Sequence, residues 1–179
     1  MKKLNKKGFT LIELLAVIVI LAIIIVVTVP TIINTIADAR VNSLWNLAGS
    51  VANSYDTMAG QDLLSSNKTV SQFDLTAGGP WQCIGSLQKD IGTASNPNII
   101  KLADMLDLSA IDLELDGSGD NPAPSGDITE NTTTATCSAI RIKKNGSAEV
   151  LLIAKDGGKF AISGKKVWAV SSQDKGYQQ

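Results

Sequence analysis

Glu13 is the only ionisable side chain in residues 9–29, a stretch that is otherwise apolar apart from Thr10 and Thr28. A carboxylate near the centre of a bilayer costs about 2.5–3.5 kcal/mol, so its expected chemistry is charge pairing. An opposite charge brought close in low dielectric recovers much of the desolvation penalty, whereas an isolated one does not. Four lysines, Lys2, Lys3, Lys6 and Lys7, and no acid precede Gly8. A cut between Gly8 and Phe9 would remove those lysines and create a free amine on Phe9, close to the Glu13 carboxylate.

Other residues with chemical potential are few. Histidine is absent, which excludes histidine-dependent catalysis and most zinc sites. Cys83 and Cys137 are the only thiols and are too far apart for a CxxC redox or metal motif. They form one disulfide in an oxidising exterior, or two free buried thiols in a reducing habitat. As a disulfide they would close a loop worth about 4 kcal/mol in the chain-entropy account. Asp116, Ser118, Asp120 and Asp127 place oxygens at spacings that suit calcium. Compared with an EF-hand loop, however, Asn121 stands where glycine is wanted and Asp127 where glutamate is wanted, so a solvated acidic turn is the competing reading. Residues 158–166 miss a phosphate loop by one residue of spacing and by Lys166 in place of Ser or Thr. Asn67, Asn131 and Asn145 begin short N-glycosylation patterns of low specificity. No metal and no cofactor is expected.

These groups need positioning elements, and the pattern supplies them. Residues 9–29 number 21 and as a helix span about 31 Å, roughly the hydrocarbon thickness of a bilayer. Beyond Pro30 the helix becomes amphipathic. Ala37, Val41, Leu44, Ala48, Val51, Tyr55 and Met58 recur at spacings of four and three, with polar residues between them. Gly60 is the expected stop, so one long helix covers residues 9–59, kinked at Pro30. Residues 60–136 give mixed signals, with turns at 65–67 and 78–80, a short helix at 99–108 and a loop at 121–125. This middle region is expected to form much of the exposed surface. From Cys137 the period becomes two: strands at 140–142, 150–154, 159–162 and 167–170 are separated by Asn145-Gly146 and by Asp156-Gly157-Gly158. The expected fold is α+β, a long kinked N-terminal helix against a C-terminal antiparallel sheet of about four strands (137–170), followed by a polar, mobile tail (171–179).

The formal net charge of −1 combines 16 basic and 17 acidic side chains. Loss of the four leader lysines leaves −5, which argues against a general electrostatic grip on nucleic acid.

The Lys-rich leader ending in Gly8, the sequence Phe9-Thr10-Leu11-Ile12-Glu13, the apolar helix and Pro30 together closely resemble the precursors of type IV pilins and pilin-like proteins. The resemblance covers about the first 30 residues. It implies that residues 1–8 are a leader removed after Gly8 by a membrane-embedded prepilin peptidase, which then methylates the Phe9 amine. It implies that residues 9–29 first lie in membrane lipid and later form a filament core. Phe9 and Glu13 would carry assembly through pairing of Glu13 with the Phe9 amine of a neighbouring subunit, and Pro30 would curve the amphipathic half, 30–59, away from the core half. The implied partners are other copies of the chain in a helical filament, the peptidase and an inner-membrane assembly platform, and the implied destination is an extracellular pilus. Such a protein is a structural subunit, not an enzyme. A minor pilin or a type II secretion pseudopilin shares these features. A pilin disulfide near the C-terminus cannot be carried over, because no cysteine follows Cys137.

Other readings explain less. A secretory signal also begins with lysines and an apolar run, and Ala37-Asp38-Ala39 has the spacing of a cleavage site. Here the run is too long, carries Glu13 and ends about ten residues early. A plain single-pass anchor accounts for the length but not for Glu13 beside a Gly-Phe junction. A membrane-anchored binding protein that never polymerises would tolerate loss of Glu13. An exported enzyme would need more than the isolated carboxylates Asp104 and Glu114.

Overall fold

The computed structural model describes residues 9–66, 70–116, 123–126, 128 and 135–172, and the backbone of 175–178. The chain divides into two compact units, Met1–Asp38 and Ala39–Gln179. A single helix, α1 (Leu11–Leu64), contributes to both. It runs past the expected stop: Gly60 lies inside it, with open space where a Cβ would be, and nothing there forces the chain to turn. In the second unit Val41, Leu44, Ala48, Val51 and Tyr55 are buried, so the heptad face read from the sequence is the face that packs.

That face packs against one side of a five-stranded antiparallel sheet, in the order β1 (Gln82–Cys83), β4 (Ala139–Ile142), β5 (Ala148–Ile153), β6 (Lys166–Val170), β7 (Lys175–Gln178). A separate hairpin pairs β2 (Gln88–Asp90) with β3 (Ile99–Lys101). The β4–β5 turn is the Asn145-Gly146 turn expected from sequence, with Gly146 at φ 88°, which glycine adopts without strain. The remaining helix, α2 (Leu102–Met105), is one turn long.

Three strand and helix expectations are corrected. Residues 159–162 are not a strand but a chain of turns, with the Gly158 N–H bonded to Lys155 O and the Ala161 N–H to Gly158 O. The sheet passes directly from β5 to β6, which leaves this segment no neighbouring strand to pair with. The tail at 171–179 is in part a strand, β7, in register with β6 through Val167↔Tyr177 and Trp168↔Gly176. The helix expected at 99–108 is shortened by β3, because Ile99 and Ile100 pair with Asp90 and Lys89.

The sheet is covered on both faces. Alternate residues Ala148, Val150 and Leu152 of β5 join the helix-side core, while Leu151 and Ile153 join a second core with Trp81, Cys83, Ala135, Cys137, Ala139, Trp168 and Val170. Part of the middle region, expected at the surface, therefore closes the far face, with Ala123 and Ile128 packed on the rim. Cys83 is bonded to Cys137 within this second core.

An ion pair edges it. Arg141 and Glu149 are direct cross-strand partners, and Arg141 Nε donates to Glu149 Oε2 at 2.6 Å with both side chains largely buried. The guanidinium stacks 4.7 Å from the Trp81 ring centroid, Trp81 Nε1 donates to Gly126 O at 2.8 Å, and Ser172 Oγ donates to Glu149 Oε1. Removing one partner strands the other in low dielectric, a loss of about 3–5 kcal/mol. We expect Arg141→Met to lower stability in urea by that order, with Glu149→Met restoring much of it in the double variant. A loss below about 1 kcal/mol for the single variant would show the pair to be solvated.

Candidate functional site

The candidate site is the start of α1. Thr10 stands just ahead of the helix and accepts its first backbone bond, from the Leu14 N–H, at 3.2 Å. Free N–H groups at a helix start need acceptors, and Thr10 and Glu13 supply them to each other. Glu13 N–H donates to Thr10 Oγ1 at 3.3 Å, while the Thr10 N–H and hydroxyl donate to Glu13 Oε2 at 2.9 and 2.8 Å. This is a capping box, whose Thr-x-x-Glu signature ahead of an apolar run was present in the sequence and overlooked there. Among the described residues, then, the Glu13 carboxylate is hydrogen-bonded to Thr10, with no charged partner. Both partners lie after the Gly8–Phe9 junction, so the box does not depend on the leader.

Phe9 is 91% exposed, immediately before the helix. Gly8 and the four leader lysines lie outside the described residues. The large apolar side chains that follow, from Leu11 to Ile36, are also exposed, and α1 is long and apolar enough to cross a membrane. Burying such a surface is worth roughly 25 cal/mol per Å², so it demands a cover of lipid or other helices. Pro30 sits inside α1 and cannot donate to the carbonyl four residues back. On either side, the Thr28 hydroxyl donates to Ile24 O and the Thr35 hydroxyl to Thr31 O, both at 2.9 Å, a back-bonding that bends helices.

The remaining candidates form no second centre. Of the calcium set, Asp116 is described and lies against Gly85, whereas Ser118, Asp120 and Asp127 fall outside the described residues. Among the described residues no group of three acids, cysteines or histidines converges on a metal position. Asn67 and Asn131 also fall outside. Asn145 Oδ1 accepts from the backbone N–H and hydroxyl of Ser147, at 3.1 and 2.8 Å, which makes it a turn residue. A cavity of about 880 Å³ in the second unit is walled by the 156–166 turns and by Arg40, Glu114 and Lys166. There burial pulls the Lys166 ammonium below the usual lysine value, and its Nζ donates to Ala135 O. Charges of both signs line this cavity.

Residues 3–29 match the family described as the prokaryotic N-terminal methylation motif. No curated protein and no solved structure matches the chain. The match spans residues 3–8, the Gly8–Phe9 junction, Glu13 and its capping box, and the apolar first half of α1. At its N-terminus the chain therefore carries the prepilin signature of type IV pilins and related pilin-like precursors.

Proposed function

We propose that this chain is a structural subunit of a type IV pilus, held in the membrane as a precursor, cut after Gly8, methylated on Phe9 and polymerised through the apolar half of α1. The observation that carries this reading is the methylation motif on a helix whose apolar first half is left exposed among the described residues. In lipid that surface is solvated by acyl chains, and in a fibre by the same surface of other copies, so transfer between the two leaves its burial nearly unchanged. The step that is not neutral is electrostatic. Cleavage removes four lysines and exposes the Phe9 amine, and Glu13 of one copy pairs with that amine on the next. Pro30, with the back-bonded Thr28 and Thr35, sets the curvature between the core half and the water-facing half.

A pseudopilin or minor pilin role uses the same chemistry and differs in abundance. The test is the intact mass and N-terminal sequence of protein sheared from cell surfaces. A chain starting at Phe9 with one added methyl group, recovered in bulk, is the expected result, and a trace amount would favour the minor role. A chain starting near Val41, or an uncut Met1 confined to membranes, would overturn the reading.

A further inference from the structure

The cavity of about 880 Å³ in the second unit has ordered walls. Glu114 is fixed there through its backbone, its N–H bonded to Ile153 O at 2.9 Å and its carbonyl accepting from the Ser138 N–H. Lys166 enters the lining as the first residue of β6. Between them runs a chain of turns in which the N–H groups of Gly158, Ala161 and Lys165 bond to the carbonyls of Lys155, Gly158 and Ile162, each at 3.0 Å. Arg40 of α1 pins these turns, its Nη1 donating to Ala161 O. Gly157 and Gly164, at φ 77° and 71°, leave open space where a Cβ would stand, so backbone in the lining is bare to a ligand.

Opposite charges share this lining without meeting. Arg40, Lys165 and Lys166 stand there with Glu114 and Asp156, yet among the described residues no ion pair joins Arg40 or Lys166 to either acid. Lys166 Nζ donates only to the Ala135 carbonyl, and the Glu114 and Asp156 carboxylates have no hydrogen-bond partner among the described residues. Burial alone, with no carboxylate to offset it, draws the Lys166 ammonium below the usual lysine value. Glu114 and Lys166 are both half-buried, so each is short of a counter-charge in a place where water screens it poorly. A ligand carrying both signs supplies both at once, through charge-assisted hydrogen bonds.

The chain also sets where such a ligand comes from. The run of exposed large apolar side chains ends at Ile36, and Arg40 follows four residues later. Four residues reach at most about 14 Å however the chain bends. With the apolar segment in a bilayer, Arg40 therefore stays within reach of the headgroup layer. We propose that the cavity binds the phosphoethanolamine headgroup of a membrane lipid, with Arg40 and Lys166 on the phosphate and Glu114 and Asp156 on the ammonium. A primary ammonium donates hydrogen bonds to carboxylates, whereas a trimethylammonium has none to donate and a glycerol headgroup lacks the positive charge. The contact belongs to the membrane-held stage and rests on that part of the proposed function.

The test reconstitutes the full chain into vesicles holding equal parts of ethanolamine, choline and glycerol phospholipids with the same acyl chains. The chain is then extracted in mild detergent and its retained lipid identified by native mass spectrometry. The expected result is one ethanolamine lipid per chain, retained at least tenfold over either competitor. Glu114→Gln removes the preference over choline, and Arg40→Gln, a change at an exposed helix position, lowers retention of the ethanolamine lipid at least tenfold. Equal retention of the three lipids, or a preference unchanged in both variants, overturns the site. Uptake of soluble phosphoethanolamine in detergent, with no lipid retained from vesicles, shows a free-solute site and overturns the membrane assignment. Release of the unmodified chain from membranes by alkaline carbonate sinks the membrane-held reading, and the lipid contact with it.

Discussion

Replacing Glu13 by alanine is expected to leave the chain in the membrane and to remove the proposed fibres from the cell surface. The membrane half of this result follows from transfer energetics. A carboxylate within the apolar segment costs up to about 2.5–3.5 kcal/mol, so its loss favours the inserted state. Loss of the capping box with Thr10 costs the helix start only about 0.5–2 kcal/mol, too little to unravel so long an apolar helix. The assembly half follows from the amine. In the proposed fibre each Phe9 amine is taken out of water, and without Glu13 it is stranded at a cost of about 3–5 kcal/mol per subunit. That is on the order of a hundredfold or more in each addition step, repeated along the fibre. Glu13→Gln separates charge from capping, because the amide still accepts from Thr10 but carries no charge. It should fail to assemble as Glu13→Ala does. The measurement is the ratio of sheared to membrane-bound chain by immunoblot. Wild-type fibre yield from either variant would remove Glu13 from the mechanism.

Removing the Cys83–Cys137 bond is expected to cost the second unit about 4 kcal/mol. The two cysteines are 54 residues apart in sequence, and a loop of that size sits near the upper part of the range for one cross-link. Two local features act in the same direction. Both cysteines are buried in the second core, so alanines there also lose packing. In addition β1 meets the sheet through only two paired positions, Gln82↔Ile140 and Cys83↔Ala139, and the bond is what ties that short edge down. For the double variant Cys83→Ala, Cys137→Ala, the melting temperature should fall by roughly 10 °C or more. Near-ultraviolet circular dichroism of the full chain in detergent is the suitable readout, since Trp81 and Trp168 lie in the same core. A shift under about 2 °C would mean that the second core holds β1 without its cross-link.

Features that depend on residues close together in the chain were legible before the fold was known. The leader, the Gly8–Phe9 junction, Glu13, the apolar helix and Pro30 could be read because each depends on residues a few positions apart. The packing face of α1 followed from the 3.6-residue period, and the β4–β5 turn from Asn145-Gly146. The Thr10–Glu13 capping box was equally local and equally legible. Tertiary structure alone decided which extended segments became strands. Residues 159–162 alternate as a strand should but lie beside no strand of the sheet, Ile162 bridging only to Lys165, whereas the polar segment Lys175–Gln178 pairs with β6 and becomes β7. An N–H or C=O in a sheet is satisfied only by another strand, and no window of sequence contains that partner. The second core has the same origin. Leu151, Ile153 and Trp168 were visibly apolar, but that Trp81, Ala123, Ile128 and Ala135 would cover them depended on a chain crossing closed by Cys83 and Cys137. Glu149 could be buried in its turn only because the fold set Arg141 and Ser172 against it, a neutralisation that alternation does not encode.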